Sequence, residues 1–272
     1  MAEPTHDRFR CTLVIPTYNA ADFIENTVDR LRRFAAEQPG WCVLFVCDGC
    51  TDGTADKLGA LTAADGPAIR VEAYSANRGK GYALRRGLSL AVTPYRFYTD
   101  VDLAYDPDSA VGLLRLLEGG ADLAVANRAN PESRFLVSPR DFPRIYRRHL
   151  SSRGLNLWLR AMLPIAIHDT QAGLKGVTAA AWERLGPRIT TDGFFFDVEL
   201  LARAGQVGMT VAEAPVEFRY VDPSTVRLIS HGWSMLKDTW RLRRRLGSEA
   251  KQGAKRPAGL GEGDEPAVGI AK

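Results

Sequence analysis

Two aspartates, Asp100 and Asp102, form the part of this sequence best suited to chemistry. They are two residues apart and directly follow the apolar run at residues 95–99. Paired carboxylates offer hard oxygen ligands of the kind that Mg²⁺ and Mn²⁺ prefer. A divalent ion held there would neutralise a diphosphate that becomes a leaving group. The alternative is an acidic loop that meets only solvent, because D-x-D alone is a weak signal.

A second polar segment contains Asp48, again directly after an apolar run. Gly49 and Gly53 permit a tight turn, so the Asp48 carboxylate is placed to hydrogen-bond a base or a ribose. The alternative is a plain strand-to-helix turn in which Asp52 or Thr54 caps the following helix.

Lys80 lies in a third segment, N-R-G-K-G-Y-A-L-R-R-G at residues 77–87. The spacing places it at the start of a helix, where backbone N–H groups favour anions. The segment is neither a Walker loop nor a G-x-G-x-x-G motif, which argues against a P-loop and against a dinucleotide site.

Alternating strands and helices must position these residues. The apolar periodicity predicts strands at residues 11–16, 42–47, 69–74, 95–99 and 121–126. It predicts helices at residues 22–36, 52–61, 81–91 and 109–117. This alternation is typical of a mainly parallel sheet with helices on both faces, where ligands bind at the carboxyl ends of the strands. Each motif above follows such an end, as do the P-T-Y-N at residues 16–19 and Asn127-Arg128.

Five motifs in this order resemble glycosyltransferase family 2: P-T-Y-N, D-G-x-x-D-G-T, N-x-G-K-G, D-x-D and D-T-Q-A-G-L-K at residues 169–175. The last motif and F-D-V-E-L-L at residues 196–201 look like the polyprenyl-phosphate sugar synthases, particularly the dolichyl-phosphate β-glucosyltransferases. The resemblance implies a GT-A fold and a nucleotide-sugar donor, with a UDP-sugar favoured by analogy. It also implies inverting transfer of a hexose, with glucose favoured, to a polyprenyl phosphate.

The resemblance implies roles for individual positions. Those at the nucleotide are Pro16, Tyr18 and Asp48 at the base and ribose, Lys80 beside them, and Asp100 and Asp102 holding Mg²⁺ or Mn²⁺ and the diphosphate. Those around the sugar and the acceptor are Arg128 near the phosphates, Gln171, Asp197 and Glu199.

Three positions depart from the family pattern. Ala20 follows P-T-Y-N where many relatives have Glu, which removes one nucleotide contact. Cys47 replaces the first acid of the common D-D-G-S. Ala104 stands where mannosyl-lipid synthases often have a metal-binding Gln, which argues against a simple mannosyl-synthase assignment.

A phosphate acceptor is already anionic at neutral pH, so it needs cationic positioning rather than a general base. The basic stretch that could supply it contains Arg134, Arg140, Arg144, Arg147, Arg148 and Arg153. Arginine binds phosphate through a planar fork, but a solvated basic helix face is an equal interpretation for most of these residues. If the acceptor is a hydroxyl, Asp197 is the candidate base, with a structural carboxylate as the alternative.

Composition and hydropathy place the chain in solution, with membrane contact at most peripheral. The net charge of +4 is modest, which does not indicate a nucleic-acid partner. No apolar run is long enough to span a bilayer, and no signal peptide precedes the first strand, so we expect a cytoplasmic location, with the inner membrane face as an alternative. Residues 155–167 read as a core helix or, alternatively, a surface-lying one. Residues 233–246 read as a basic helix that either meets solvent or attracts anionic lipid.

We expect an N-terminal extension at residues 1–9, a GT-A catalytic domain at residues 10–246 and a disordered polar tail at residues 247–272. The C-x-x-C of Cys47 and Cys50 has no second pair and no histidine near it, which favours reduced structural cysteines over a zinc or redox site.

Three alternatives remain at this stage. The acceptor could be a soluble small molecule such as a nucleoside or an antibiotic precursor. The domain could be a catalytically idle binding protein, although retention of Asp48, Lys80, Asp100, Asp102 and Gln171 together speaks against this. A nucleotidyltransferase is disfavoured because its early phosphate loop is missing.

Overall fold

The computed structural model describes residues 8–136, 154–219 and 228–255, with the backbone alone at 228–234, 250 and 252–255. A seven-stranded sheet forms the centre, in the order β3-β2-β1-β4-β7-β5-β8. Its strands are β1 (Cys11–Thr17), β2 (Trp41–Asp48), β3 (Ile69–Tyr74), β4 (Tyr95–Tyr98), β5 (Leu123–Ala126), β7 (Lys175–Thr178) and β8 (Val211–Ala214). A second, two-stranded parallel sheet pairs β6 (Arg134–Leu136) with β9 (Glu217–Arg219).

Eight helices flank the sheets in the described ranges. They are α1 (Ile24–Glu37), α2 (Thr54–Thr62), α3 (Lys80–Leu90), α4 (Ser109–Glu118), α5 (154–162), α6 (Ala179–Leu185), α7 (Phe196–Gln206) and α8 (Leu228–Lys255). Each of the helices α1, α3, α4 and α7 buries an apolar face at helical spacing, as in Ile24, Val28 and Leu31 of α1.

The first half of the sheet is held by burial and by one close helix contact. All residues of β1 and β2 are buried, which is typical of central parallel strands covered on both faces. Gly87 of α3 lies directly against Val14 and Val46, where a Cβ atom would overlap both side chains. This contact lets α3 approach the sheet closely and fixes the direction from which Lys80 enters the site.

The predicted α/β architecture is confirmed, and all five predicted strands and four predicted helices are present. Strand β7 was not predicted. It inserts between β4 and β5 and is antiparallel to both, whereas the other described strands of this sheet run in one direction. Because β4 and β5 remain parallel, Asp100 and Arg128 still leave the same edge of the sheet.

Two further expectations can be compared with the structure. Residues 247–255 were predicted as part of a disordered tail, and this is wrong, since α8 continues through them to Lys255. Residues 256–272 and 1–7 lie outside the described residues. In the segment at 155–167, Leu159 and Leu163 are buried and Trp158 packs against the core, as a core helix requires.

The four cysteines are all free thiols, as expected. Burial is the largest influence on Cys47 and raises the pKa of its thiol to about 12. A thiol of that kind is unreactive at neutral pH. Among the helices in the described ranges, none has the length and hydropathy that a membrane span requires.

Candidate active site

The D-x-D segment is a tight turn at the carboxyl end of β4. Leu103 has a positive φ of 47° and donates its N–H to the Asp100 carbonyl over 3.0 Å. Such a conformation is uncommon for a bulky side chain, and strained backbone of this kind is enriched at functional sites. Helix α1 holds the turn from outside, because the Thr27 hydroxyl donates to the Val101 carbonyl over 2.9 Å and Arg30 to the Leu103 carbonyl.

Lys80 reaches this turn from the first residue of α3. Its Nζ lies 2.5 Å from Asp100 Oδ1. Burial alone would lower the pKa of Lys80, but Asp100 and Asp197 bring it above its ordinary value. Burial, followed by the charge of Asp100, raises the pKa of Asp102. The turn therefore concentrates more negative charge than the single lysine balances.

The two carboxylates suit a hard divalent cation, which would relieve their mutual repulsion. Among the residues that the structure describes, no group of three or more His, Cys, Asp or Glu side chains is placed to hold an ion. At nucleotide sites Mg²⁺ is usually bound by one or two carboxylates together with substrate phosphates and water, and Asp100 and Asp102 are two carboxylates at one turn.

A buried ion pair supports the turn from below. Asp197 Oδ1 accepts hydrogen bonds from Tyr98 Oη over 2.6 Å and from Lys175 Nζ over 2.5 Å. Lys175 is fully buried and also donates to the Ala172 carbonyl. Burial by itself would raise the pKa of Asp197, but Lys175 and Lys80 bring it below its ordinary value. Asp197 is therefore held in its anionic form by its partners, which makes it a weak candidate for a general base.

Gly173 packs between the Asp100 carboxylate and the Tyr105 ring. A Cβ atom at this position would overlap the Asp100 carboxylate and would lie 3.2 Å from the Tyr105 ring. Beyond Tyr105, Arg128 forms a two-fold ion pair with Asp169, with both N–O distances at 2.8 Å. Burial by itself would raise the pKa of Asp169, but Arg128 brings it below its ordinary value.

The predicted nucleotide residues lie at the ends of β1 and β2. Pro16 is buried within β1, and Tyr18 is 50% exposed just beyond it. The Asp48 carboxylate is buried and accepts the backbone N–H groups of Arg78 at 2.7 Å and Gly79 at 2.8 Å. Asp48 thus fixes the segment that leads into Lys80, a role that the sequence did not indicate.

The loop at residues 190–195 covers the start of α3. The Asp192 carbonyl accepts the N–H groups of Gly81 at 2.7 Å and Tyr82 at 3.1 Å. Glycine is needed at position 81, where a Cβ atom would lie 2.6 Å from the Thr191 carbonyl. The expectation that this helix start offers free N–H groups to an anion is therefore wrong for Gly81 and Tyr82.

Glu199 was predicted near the sugar and the acceptor, but the structure buries it completely. Its carboxylate accepts the N–H groups of Thr190 at 3.1 Å and Thr191 at 2.8 Å, and Arg203 Nε at 2.8 Å. These partners make Glu199 the anchor of the loop at residues 190–195.

Other predicted acceptor residues are spread more widely. Gln171 Nε2 donates to Met235 Sδ of α8 over 3.3 Å. Arg134 is exposed on β6, the strand that pairs with β9. Arg148, together with Arg140, Arg144, Arg147 and Arg153, lies outside the described residues. A cavity of about 430 Å³ separates the loop at residues 190–195 from α8, and Phe194, Met235, Arg241 and Arg245 are among the residues that line it.

The structure thus brings Lys80, Asp100, Asp102, Asp197 and Arg128 into one cluster, with Asp48 beside it. Four residues that contact this cluster were missed by sequence reasoning: Tyr98, Asp169, Gly173 and Lys175. The motif D-T-Q-A-G-L-K contains three of them and was the available signal, but a pattern does not reveal which of its residues are buried.

Comparison with known proteins identifies the family. Residues 12–178 match the family model described as Glycosyl transferase family 2. The chain is 31% identical to Glycosyltransferase AglD of Haloferax volcanii over 85% of its own length and 37% of that protein. It is 30% identical to Polyprenol monophosphomannose synthase of Mycolicibacterium smegmatis, over 77% of each chain. It is 27% identical to Dolichyl-phosphate beta-glucosyltransferase of Dictyostelium discoideum, over 87% of this chain and 75% of that one.

Solved structures share the fold. The mannosyltransferase PcManGT of Pyrobaculum calidifontis, crystallised with GDP-Man and Mn²⁺, superposes with a TM-score of 0.57 at 21% identity, over 92% of this chain and 66% of that one. Glucosyl-3-phosphoglycerate synthase of Mycobacterium tuberculosis, crystallised with Mn²⁺, UDP and its product, gives 0.54 at 17% identity, over 88% and 77%. The GT-A fold is therefore established, and the chain belongs to glycosyltransferase family 2.

Proposed function

We propose that this protein transfers a hexose, with glucose from UDP-glucose favoured, to a polyprenyl phosphate with inversion at the sugar. The observation that carries the proposal is the pair Asp100 and Asp102, facing Lys80 at the carboxyl ends of parallel strands in a family 2 chain. Relatives named as a polyprenol monophosphomannose synthase and as dolichyl-phosphate β-glucosyltransferases support the acceptor class.

Asp100 and Asp102 would hold Mg²⁺ or Mn²⁺, which when bound would offset the charge on the departing nucleoside diphosphate. The residues of the chain do the rest of the positioning. Lys80 adds a cation next to the same carboxylates, and Asp48 holds the segment at residues 78–79 that precedes it. Tyr18 is exposed at the end of β1, where it is placed to stack on a base.

The acceptor is better matched by a phosphate than by a hydroxyl. A hydroxyl would require a general base, and Asp197 is buried, engaged by Lys175 and Tyr98, and held at a lowered pKa. A phosphate oxygen is anionic at neutral pH and attacks the sugar carbon without giving up a proton. Arg128 uses Nε and Nη2 for Asp169, which leaves Nη1 without a hydrogen bond to any described residue and suited to a phosphate oxygen.

The cavity between the loop at residues 190–195 and α8 is the proposed entrance for the acceptor. It borders Phe194, whose ring centroid lies 5.9 Å from Lys80 Nζ. Its lining includes apolar Met235 and Leu242, cationic Arg241 and Arg245, and three acids, Asp192, Asp238 and Glu199, which pair with Arg85, Arg241 and Arg203. The apolar residues suit a polyprenyl chain, and Arg245 suits its phosphate.

We also propose peripheral contact with an anionic membrane through α8. Leu236 is 37% exposed and Trp240 is 56% exposed, one helical turn apart. Lys237, Arg241 and Arg244 are exposed on the same part of the helix. A tryptophan among cations is typical of helices that lie in the headgroup region. Sedimentation with phosphatidylglycerol vesicles should be lost in Trp240→Ala and retained in Val92→Ala, which removes an equally exposed side chain between α3 and β4.

Transfer assays test the function directly. The full chain is incubated with Mn²⁺ and either radiolabelled UDP-glucose or GDP-mannose, and with a short polyprenyl phosphate, the matching polyprenol or soluble alcohols. Product on the polyprenyl phosphate alone supports the proposal, and the donor that reacts identifies the sugar. Product on a soluble alcohol would replace the acceptor, and no product with any pair would favour the idle-domain interpretation.

A further inference from the structure

A continuous chain of buried polar contacts connects α8 to the loop at residues 190–195. Its centre is Glu199, which is fully buried on α7 and accepts the backbone N–H groups of Thr190 and Thr191. A buried carboxylate with this many donors holds a backbone in one conformation, because each lost bond would leave a buried group unsatisfied. Glu199 thus sets the path of the loop where it leaves the core.

Arg203 extends this chain toward the surface. It lies one turn after Glu199, is 2% exposed, and places Nε 2.8 Å from the Glu199 carboxylate. Its Nη1 is 3.1 Å from the Glu249 carboxylate of α8, whose side chain is 42% exposed. Nearby, Gln206 Nε2 donates to the Leu246 carbonyl, and Arg245 donates to the Thr190 hydroxyl. Helix α8 is therefore attached both to α7 and to the loop itself.

The other end of the loop contacts the residues around Lys80. The Asp192 carbonyl accepts the N–H groups of Gly81 and Tyr82, and the Asp192 carboxylate pairs with Arg85 of α3. Arg85 also donates to the Ile189 carbonyl over 2.8 Å. The Phe194 ring lies 5.9 Å from Lys80 Nζ. A displacement of the loop would therefore change the start of α3, from which Lys80 reaches Asp100.

We infer that Glu249 and Arg203 are positioning residues, through which α8 fixes the loop at residues 190–195 on the start of α3 in the arrangement that lets Lys80 reach Asp100. The effect on catalysis rests on the proposed function, whereas the effect on the loop does not. Glu249 lies in the part of the chain for which the sequence predicts a disordered tail. Its ion pair with the buried Arg203 attaches that segment to α7.

Amide hydrogen exchange in the full chain without substrates tests the inference in Glu249→Gln. This substitution keeps the shape of an accessible side chain and removes its charge, so the fold should persist. We expect the amides of Thr190, Thr191, Gly81 and Tyr82 to exchange roughly tenfold faster, while those of β1 and β2 remain as protected as before. Glu118→Gln is the matched control, because the Glu118 side chain is 36% exposed and its ion pair within the described ranges is with Arg10, which is not part of the loop.

Unchanged exchange of the four amides in Glu249→Gln would overturn the inference. Equal acceleration throughout β1 and β2 would also overturn it, since Glu249 would then support the whole fold rather than this loop. In the transfer assay, kcat should fall roughly tenfold in Glu249→Gln and stay unchanged in Glu118→Gln, because only the first substitution disturbs the start of α3 that carries Lys80. An unchanged kcat in Glu249→Gln would contradict the effect on catalysis. If the wild-type chain transfers no sugar, the exchange result still decides the structural claim.

Discussion

Acidic residues serve opposite purposes in two neighbouring regions of this molecule. In the turn after β4, Asp100 and Asp102 are only partly enclosed, share one lysine, and the pKa of Asp102 is raised by burial and by Asp100. In α7, Asp197 and Glu199 are buried, and both have lowered pKa values because cations and hydrogen-bond donors outweigh the effect of burial. The negative charge of the turn is only partly balanced by Lys80, whereas the acids of α7 are balanced by ion pairs and hydrogen bonds inside the protein.

The direction of the pKa shift and the partners of each acid distinguish acids that are free to meet a ligand from acids that hold the fold together. The motif F-D-V-E-L-L contains two acids at the same spacing as D-x-D. Its acids, however, pair with Lys175, Tyr98 and Arg203 instead of facing solvent. A carboxylate whose charge the protein has already compensated has little left to offer a cation or a substrate.

Asp197→Asn should be the most destabilising change. It leaves the fully buried Lys175 without its carboxylate partner, and breaking a buried pair in this way costs about 3–5 kcal/mol of unfolding free energy. Urea unfolding followed by circular dichroism measures the loss. Asp29→Asn, an exposed acid paired with Arg32 at 3.3 Å, should change stability by less than about 0.5 kcal/mol. Equal stability of both variants would show that Asp197 is not a framework residue.

The stability contributed by Asp197 should depend on pH in a defined direction. Because its folded pKa is below the unfolded value near 3.8, the contribution is present above that value and disappears as pH falls through the folded pKa. The difference between wild type and Asp197→Asn should therefore be constant from pH 7 to about pH 4.5 and shrink below pH 3.8. A difference that shrinks already between pH 7 and pH 5 would mean that the carboxyl pKa is raised.

Asp102→Asn should reduce transfer by about 10²-fold or more, because the cation and the diphosphate lose a ligand. The fold should persist, since the Asp102 side chain makes a single hydrogen bond within the described residues, from Ala104 N–H, which Asn can also accept. Asp56→Asn, an exposed acid in the first turn of α2, is the matched control and should remain active. Activity of Asp102→Asn near the wild-type level would remove this residue from the site.

Gly173→Ala should weaken Mn²⁺-dependent nucleotide binding roughly tenfold, because its Cβ would displace the Asp100 carboxylate. Gly112→Ala provides the control within α4, where a Cβ meets open space and should stabilise the helix by up to about 1 kcal/mol. Calorimetric titration with UDP measures the affinity. Unchanged affinity in Gly173→Ala would show that the Asp100 position can relax without consequence.

Arg134→Ala should have the smallest effect, changing transfer by less than about twofold. Its side chain is exposed on β6, and substitution of an exposed side chain usually changes free energies by about 0.5 kcal/mol or less. A larger fall in the rate, measured at saturating donor, would place the acceptor along the two-stranded sheet of β6 and β9 rather than in the cavity beside α8.

The sequence predicts the first half of this fold well because its pattern is local. The buried runs of β1 and β2 and the amphipathic α1 are read from consecutive residues, and parallel strands bring Asp48, Asp100 and Arg128 to one edge. The second half depends on contacts between distant residues. Strand β7 is four residues long and begins with a buried lysine, and its partner Asp197 is 22 residues away.

Other parts of the site could not be read from patterns at all. Gly79 and Gly81 flank Lys80 at a helix start that the sequence assigns to an anion, but they make room for the backbone at residues 191–193. Gly247 resembles a helix stop, yet α8 continues because Leu242 and Leu246 are buried and Glu249 pairs with Arg203. In each case a tertiary contact decides what the local sequence leaves open.

We propose that Asp100 and Asp102 hold the donor diphosphate through a divalent cation. Calorimetric titration of UDP and of GDP into the full chain, with Mn²⁺ and then with EDTA, is decisive when Asp102→Asn is measured alongside. We predict binding of one nucleotide only with Mn²⁺, at least tenfold weaker in Asp102→Asn. Equal affinity in EDTA, or in Asp102→Asn with Mn²⁺, would contradict the claim.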